Sequence, residues 1–292
     1  MLGELAAAEA HIEEGLALYD QQLHRSGAIL YSAHDPVVCA YGWGGLTAWL
    51  LGRPDEARRR SAQAFDTARK LEHAPTIAFA LITAAQLNQL LRDETATRNQ
   101  AEAAIAISAK GGFPVYRAWG LILQGWALAK HLPAEDDGIG QIREGLASML
   151  ATRGQFCRTY DLALLADACE RAGRVEEGLS SVAEAMAVVE KNAEHWFEAE
   201  LNRLKGELLL RQHESNAADA GGCFEHAIEI AREQGAKSLE LRATMSLARL
   251  LAKEGRRDEA RAMLADIYGW FTEGFDTADL IDAKALLDDL ST

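Results

Sequence analysis

The feature that most constrains this chain of 292 residues is a self-similarity with a step of about 40 residues. A short connector, often carrying Gly, precedes a stretch in which small, larger and small residues recur in the spacing Ala-x-x-x-Phe-x-x-Ala. The instances are Ala8/Ile12/Gly15, Ala57/Ser61/Ala64, Ala96/Gln100/Ala103, Gly138/Ile142/Gly145, Gly178/Val182/Ala185, Ala220/Phe224/Ala227 and Ala260/Leu264/Ile267. A second mark stands in the stretch before each of the last six, where Gly45, Ala85, Gly125, Ala166, Gly206 and Ala248 keep the same step. Small residues at these positions let two helices approach closely. An amphipathic helix pair cannot bury its apolar face alone, so the pairs must stack.

Composition supports helix. Ala, Leu, Glu and Arg dominate, only 5 prolines occur, and no convincing alternating strand is found. The pattern resembles the tetratricopeptide repeat, whose first helix carries Trp-x-x-Leu-Gly-x-x-Tyr and whose second carries Ala-x-x-x-Phe, with a period of about 34. The longer step here, and the scarcity of closing prolines, imply longer helices like those of the maltose-regulator type. The expected fold is all-α, a right-handed α-solenoid of about six to seven tetratricopeptide-like helix pairs with a C-terminal capping helix. It is read as a single helical-repeat domain over residues 1–292. A partial first repeat covers 1–30, repeats lie near 35–72, 74–110, 113–152, 156–192, 195–235 and 237–270, and the cap is 276–290.

The connectors agree with this division. Leu51-Gly-Arg-Pro-Asp-Glu, Ala172-Gly-Arg-Val-Glu-Glu and Glu254-Gly-Arg-Arg-Asp-Glu share Gly-Arg followed by acids. A C-cap Gly ending one helix, with acids opening the next against its dipole, has this form. Longer connectors are expected at Leu132 to Asp137 and at His213 to Ala218, and Asp276 as N-cap of the last helix. Residues 2–19 match only the second helix of a pair. The expectation is that the chain starts inside a repeat of a longer protein, with self-association through the incomplete repeat.

Four stretches carry a further resemblance: His34-Asp-Pro with Tyr41-Gly-Trp-Gly-Gly-Leu-Thr-Ala-Trp, Trp196-Phe-Glu-Ala-Glu-Leu-Asn-Arg-Leu, Ala236-Lys-Ser-Leu-Glu-Leu-Arg-Ala-Thr-Met, and Tyr268-Gly-Trp-Phe-Thr-Glu-Gly-Phe. They resemble the C-terminal region of bacterial signalling proteins in which a class III adenylate/guanylate cyclase domain and an ATPase precede tetratricopeptide-like repeats. The resemblance implies a regulatory arm, with that ATPase or cyclase region as a partner. It places neither activity within these residues.

The net charge of −14 and a pI near 5.1 repel a phosphate backbone, so nucleic acid is not an expected partner. Cys39, Cys157, Cys169 and Cys223 form no Cys-x-x-Cys pair and read as small buried residues in a reducing compartment. No basic leader with an apolar run and no apolar stretch of ~18 residues occurs, so no membrane is expected and the location is cytoplasmic. Gly235-Ala-Lys-Ser lacks the first Gly of a phosphate loop, and Gly42-Trp-Gly-Gly falls mid-helix in the repeat register. The eight histidines are scattered, and no nucleophile, metal or acid-base constellation is recognisable. The expectation is no enzyme, no cofactor and no metal.

In tetratricopeptide domains the first helices line a concave groove. The register puts Trp43, Trp49, Gln86, Trp119 and Trp126 on that side in the early repeats and Asp167, Arg203, Glu207, Arg211, Arg242 and Arg249 in the later ones. A groove running from aromatic to charged suits a peptide or partner domain, because Trp and Arg are over-represented at binding hot spots. The Trp side chains equally suit gaps between long helices, since Trp is well buried on average. The leading reading is a protein-interaction and regulatory module; the second is a small-molecule sensor using the aromatic end.

Overall fold

Each of the three Gly-Arg connectors ends its helix with a left-handed Gly in the structure, a computed structural model that describes residues 2–20, 34–129, 138–152 and 156–291. Gly52, Gly173 and Gly255 have φ of 79°, 70° and 83°, a region in which a Cβ is penalised. Two of them close with paired bonds: the Arg174 amide donates to the Cys169 carbonyl (2.8 Å) and that of Gly173 to Glu170 (3.2 Å), and Arg256 and Gly255 repeat this with Leu251 and Ala252 (2.9 and 3.1 Å). Asp55 and Glu56, Glu176 and Glu177, and Asp258 and Glu259 then open the next helix at its positive end.

The described residues form fourteen α-helices and no strand: α1 (Leu5–Leu18), α2 (Pro36–Leu50), α3 (Pro54–Leu71), α4 (Ala74–Leu90), α5 (Glu94–Gly111), α6 (Pro114–Leu128), α7 (Gly138–Ala151), α8 (Arg158–Arg171), α9 (Val175–Asn192), α10 (Glu198–Gln212), α11 (Ala217–Gln234), α12 (Lys237–Lys253), α13 (Arg257–Trp270) and α14 (Ala278–Leu290). The expected His213 connector holds a short 3-10 turn, Glu214–Asn216, whereas the one over 132–137 lies outside the described residues, as do 21–30 of the partial repeat.

Two compact units are distinguished. The N-terminal unit comprises Ala6–Trp49 and Pro54–Phe156, the C-terminal unit Met1–Leu5, Leu50–Arg53 and Cys157–Thr292. Within the first, helices adjacent in sequence pack from α3 through α7, and α4 also touches α6. Within the second the same holds from α8 through α14, and α8, α10, α12 and α14 touch one another in series. Within each unit the first helices of successive pairs therefore touch, which is what brings their side chains together.

In the complete helix pairs both sequence marks sit at close helix approaches, whereas Gly15 of the first instance, in α1, is exposed. A Cβ on Gly45 would lie 3.2 Å from the Ala57 carbonyl oxygen, one on Gly125 2.5 Å from that of Gly138, and one on Gly206 2.4 Å from the Phe224 ring. Ala85, Ala166 and Ala248 are fully buried at the equivalent places. One repeat needs a correction. In α5 the buried residues are Thr97, Ala101 and Ala104, not Ala96, Gln100 and Ala103. Asp93 is the N-cap, accepting from the Ala96 amide at 2.9 Å, and it starts the helix one residue later than the small-residue spacing suggests. The last helix is corrected likewise: its N-cap is Thr277, not Asp276.

Some contacts have no sequence signal. Arg60 of α3 is buried, its side chain 7 % exposed, yet it reaches Glu56 in its own helix (2.5 Å) and Glu13 and Glu9 of α1 (2.5 and 3.5 Å). A buried guanidinium needs such partners, so this cluster ties α1 down. The start of α8 is capped from a distance of 35 residues: Glu194, in the loop before α10, accepts from the Thr159 amide (3.0 Å) and hydroxyl (2.5 Å). At the C-terminal end, Leu280, Ala283 and Leu290 of α14 join Phe224, Leu247, Leu264 and Ile267 in one core. Each fully buried large side chain there contributes roughly 1.5–3 kcal/mol.

Candidate interaction site on the first helices

In the C-terminal unit the row of first helices carries a ladder of charge. The Arg203 guanidinium of α10 donates twice to Glu200 (3.0 and 2.8 Å) and approaches Glu207 at 3.5 Å. The Ser246 hydroxyl of α12 donates to Glu207 at 2.5 Å. Arg242 of α12 donates to Asp279 of α14 (2.8 Å) and lies 3.7 Å from Glu200. Arg211 of α10 donates to Glu170 of α8 at 2.5 Å, and Asp167 pairs with Arg171 within α8. The rungs thus join α8 to α10, α10 to α12 and α12 to α14. Glu200, Arg203 and Arg242 are 7, 16 and 11 % exposed, so these are semi-buried pairs in which Coulomb attraction is weakly screened. Burial works against the Arg203 charge, but Glu200 and Glu207 outweigh it and hold the guanidinium well above its ordinary range. Glu170 moves the other way: burial raises its carboxyl despite Arg211. Arg249 is exposed and has no ion-pair partner among the described residues.

In the N-terminal unit the first helices carry aromatic side chains instead. His34, just before α2, stacks on Phe79 of α4 at 4.0 Å with nearly parallel rings. Its Nδ1 lies 2.8 Å from the Tyr116 hydroxyl of α6. Burial lowers the His34 pKa and pushes that of Tyr116 up to about 12, so a neutral phenol and a neutral imidazole share this hydrogen bond. Trp43 meets Phe79 edge-on at 6.0 Å, and Phe156, in the turn before α8, meets Trp43 at 5.3 Å and Trp119 at 6.3 Å.

The aromatic residues expected on the groove are therefore not equivalent. Trp43 is half-buried, but Trp49, Trp119, Trp126 and Gln86 are 2, 5, 1 and 1 % exposed. Trp49 and Trp126 fill space between helices, the alternative weighed for them above, and present almost no surface. The charged residues do come together: Asp167, Arg203, Glu207, Arg211 and Arg242 all belong to the ladder. His34, Phe79, Tyr116, Phe156, Glu200 and Asp279 were missed. Phe79 was legible, since it stands six residues before Ala85 as Trp119 stands before Gly125. Phe156 was not, because it lies in a turn outside the helical register. Beside the aromatic row, a cleft of about 340 Å³ between α1 and α2 is lined by residues including His11, Ile12, Pro36, Cys39 and Trp43. Among the described residues no cluster suited to a metal ion is found, and no helix is long and apolar enough to cross a membrane.

No family model matches the chain. An uncharacterized protein of Rhizobium meliloti (strain 1021) is 28 % identical over 256 residues, covering 87 % of this chain. The chain spans about a quarter of that relative's length, 25 %. The crystal structure of yeast Tom70 is similar in fold, with a TM-score of 0.55 and 12 % identity over 97 % of this chain and 59 % of the other. The architecture is an all-α repeat of tetratricopeptide-like helix pairs.

Proposed function

We propose that the chain is a non-catalytic, cytoplasmic module that captures a peptide or partner domain on its first-helix faces and serves as the regulatory arm of a larger bacterial signalling protein. The observation that carries this is the row of first helices in the C-terminal unit, whose ladder holds Arg203 and Arg242 in place while leaving Arg249 exposed and Arg211 52 % exposed. Ordered guanidiniums lose little freedom when a partner binds, so they suit recognition. The ladder's Asp167, Glu170, Glu200, Glu207 and Asp279 balance Arg171, Arg203, Arg211, Arg242 and Arg249. The face is thus locally neutral on a chain of net charge −14, and a polypeptide of mixed charge suits it better than a polyanion.

The partner is proposed to be the ATPase or cyclase region of the same parent. That fits the sequence resemblance and a relative more than three times as long. Docking would then bias the attached catalytic region between two states, by as much as the arm's affinity differs between them. Calorimetric titration of the chain with that purified region tests the idea. Saturable binding, weakened about tenfold by Arg249→Glu combined with Arg211→Glu, supports it; an absence of binding, or binding indifferent to both charges, overturns it.

The cleft between α1 and α2 favours a second reading, a small-molecule sensor, because its volume lies within the range of ligand pockets, about 300–1,000 Å³. A metabolite that shifts Trp fluorescence in the wild type but not in Trp43→Leu would support the sensor.

A further inference from the structure

We infer that the surface formed by Trp43 and Trp119 is a binding site for an aromatic side chain of the partner polypeptide, and that the chain's own Phe156 occupies it as a competitor. The inference rests on the interaction reading above and names the chemistry of one contact within it.

Four observations carry it. Phe156 touches aromatic rings on two different first helices, Trp43 of α2 at 5.3 Å and 80° and Trp119 of α6 at 6.3 Å and 56°. It nevertheless remains 49 % exposed, whereas Phe79, against which Trp43 packs, is 1 % exposed. A core phenylalanine is enclosed on all sides; Phe156 lies on a surface made by others, as a guest does. It is also carried by a turn and not by a helix of the row, so its ring shows what an aromatic side chain on a non-helical segment can reach. Finally, Trp119 is 5 % exposed and its Nε1 is a buried donor without a hydrogen-bond partner among the described residues. Buried indole N–H groups usually find an acceptor, and an unmade bond at that depth is unfavourable. Phe156 brings an apolar ring, and among the described residues nothing answers that donor. A partner segment supplies both parts: an aromatic ring to replace Phe156 and a backbone carbonyl beside it.

A self-occupied site lowers apparent affinity by the fraction of time it is blocked. Removing the competitor therefore strengthens binding of an aromatic probe. The test uses the whole chain with its 6 tryptophans labelled with 15N, the Trp119 and Trp43 indole resonances being assigned from Trp119→Phe and Trp43→Phe. N-acetylphenylalaninamide is titrated into wild type and Phe156→Ala, with N-acetylalaninamide as control. The expected result is a saturable shift of both resonances in Phe156→Ala with an affinity about tenfold above wild type, and none with the alanine probe. Equal affinity in both proteins, or no saturable shift in a Phe156→Ala protein whose other indole resonances match wild type, overturns the inference. If Phe156→Ala does not fold, Phe156→Leu replaces it, with a smaller gain expected and the same overturning result. The two readings fail separately: a silent surface with intact, charge-dependent binding of the ATPase or cyclase region removes only this inference. An aromatic probe that binds while that region does not removes the partner proposed above.

Discussion

Each unit has its own row of first helices, and the two rows are built from different forces. In the N-terminal unit the row is held by rings: His34 on Phe79, Trp43 against Phe79, and Tyr116 bonded to His34. In the C-terminal unit it is held by charge, with Glu200 between Arg203 and Arg242 and Asp279 beyond. An aromatic contact draws on area and is insensitive to salt, while an ionic rung depends on every member of its chain. One repeat geometry thus tolerates two chemistries, because small anchors such as Gly125 and Gly206 fix the helix spacing and leave the facing side chains free to vary.

The comparison can be broken at its strongest points first. Phe79→Ala removes a fully buried ring that carries both His34 and Trp43, and chemical denaturation is expected to show a loss of about 4 kcal/mol. Glu200→Ala leaves two mostly buried guanidiniums under-compensated, with an expected loss of about 3 kcal/mol in the same assay. A much smaller loss at Glu200 would mean that the ladder is solvated and contributes little to order. Glu194→Gln retains an acceptor for Thr159 but removes the charge that caps α8, and is expected to cost about 1 kcal/mol, read as a shift in the urea midpoint.

Acid separates the units more finely. Burial lowers the folded pKa of His34 from an unfolded value of about 6.5, with His73 acting in the same sense and Asp35 against it. In the window below 6.5 the unfolded chain binds the proton more readily, so this contribution to stability is full above the window and falls as pH drops through it. Glu170 has the opposite sign. Its raised folded pKa makes the native state the better proton acceptor, and its contribution falls as pH rises from about 4.5 through the folded value. Denaturation at pH 7.0 and 5.5 is expected to show a loss on acidification that is smaller in His34→Phe, with a difference of under about 1 kcal/mol. No difference between the two proteins would mean that His34 is not desolvated. Arg249→Ala, on an exposed and unpaired side chain, is expected to leave stability unchanged within about 0.5 kcal/mol, so its effect on partner binding can be read without correction.

Much of this was legible in the residues. The anchors from Gly45 to Ala248, the Gly-Arg-acid connectors and the mid-helix place of Gly42-Trp-Gly-Gly depend on local periodicity, which a sequence displays directly. Asp167, Arg203, Glu207 and Arg242 could be assigned to one face by the same register. Their pairing could not, since Arg242 chooses between Asp279 and Glu200 only once α10, α12 and α14 lie side by side. The one-residue shift in α5 shows the limit of spacing alone: the N-cap Asp93 set the start of that helix, and the stretch Ala101 to Ala106 sets Ala at neighbouring registers (Ala101, Ala103, Ala104 and Ala106), so small-residue spacing does not choose between them.

By itself the sequence determined the helical class, the step of the repeat and the positions where helices meet, because those follow from 3.6-residue periodicity, small-residue spacing and capping chemistry within a few turns of chain. Tertiary structure decided which tryptophans are surface and which are filler, which carboxylate answers which arginine, and that Phe156 reaches Trp43 and Trp119. Burial and pairing depend on residues brought together from distant helices, and a turn residue such as Phe156 obeys no period from which its neighbours could be read.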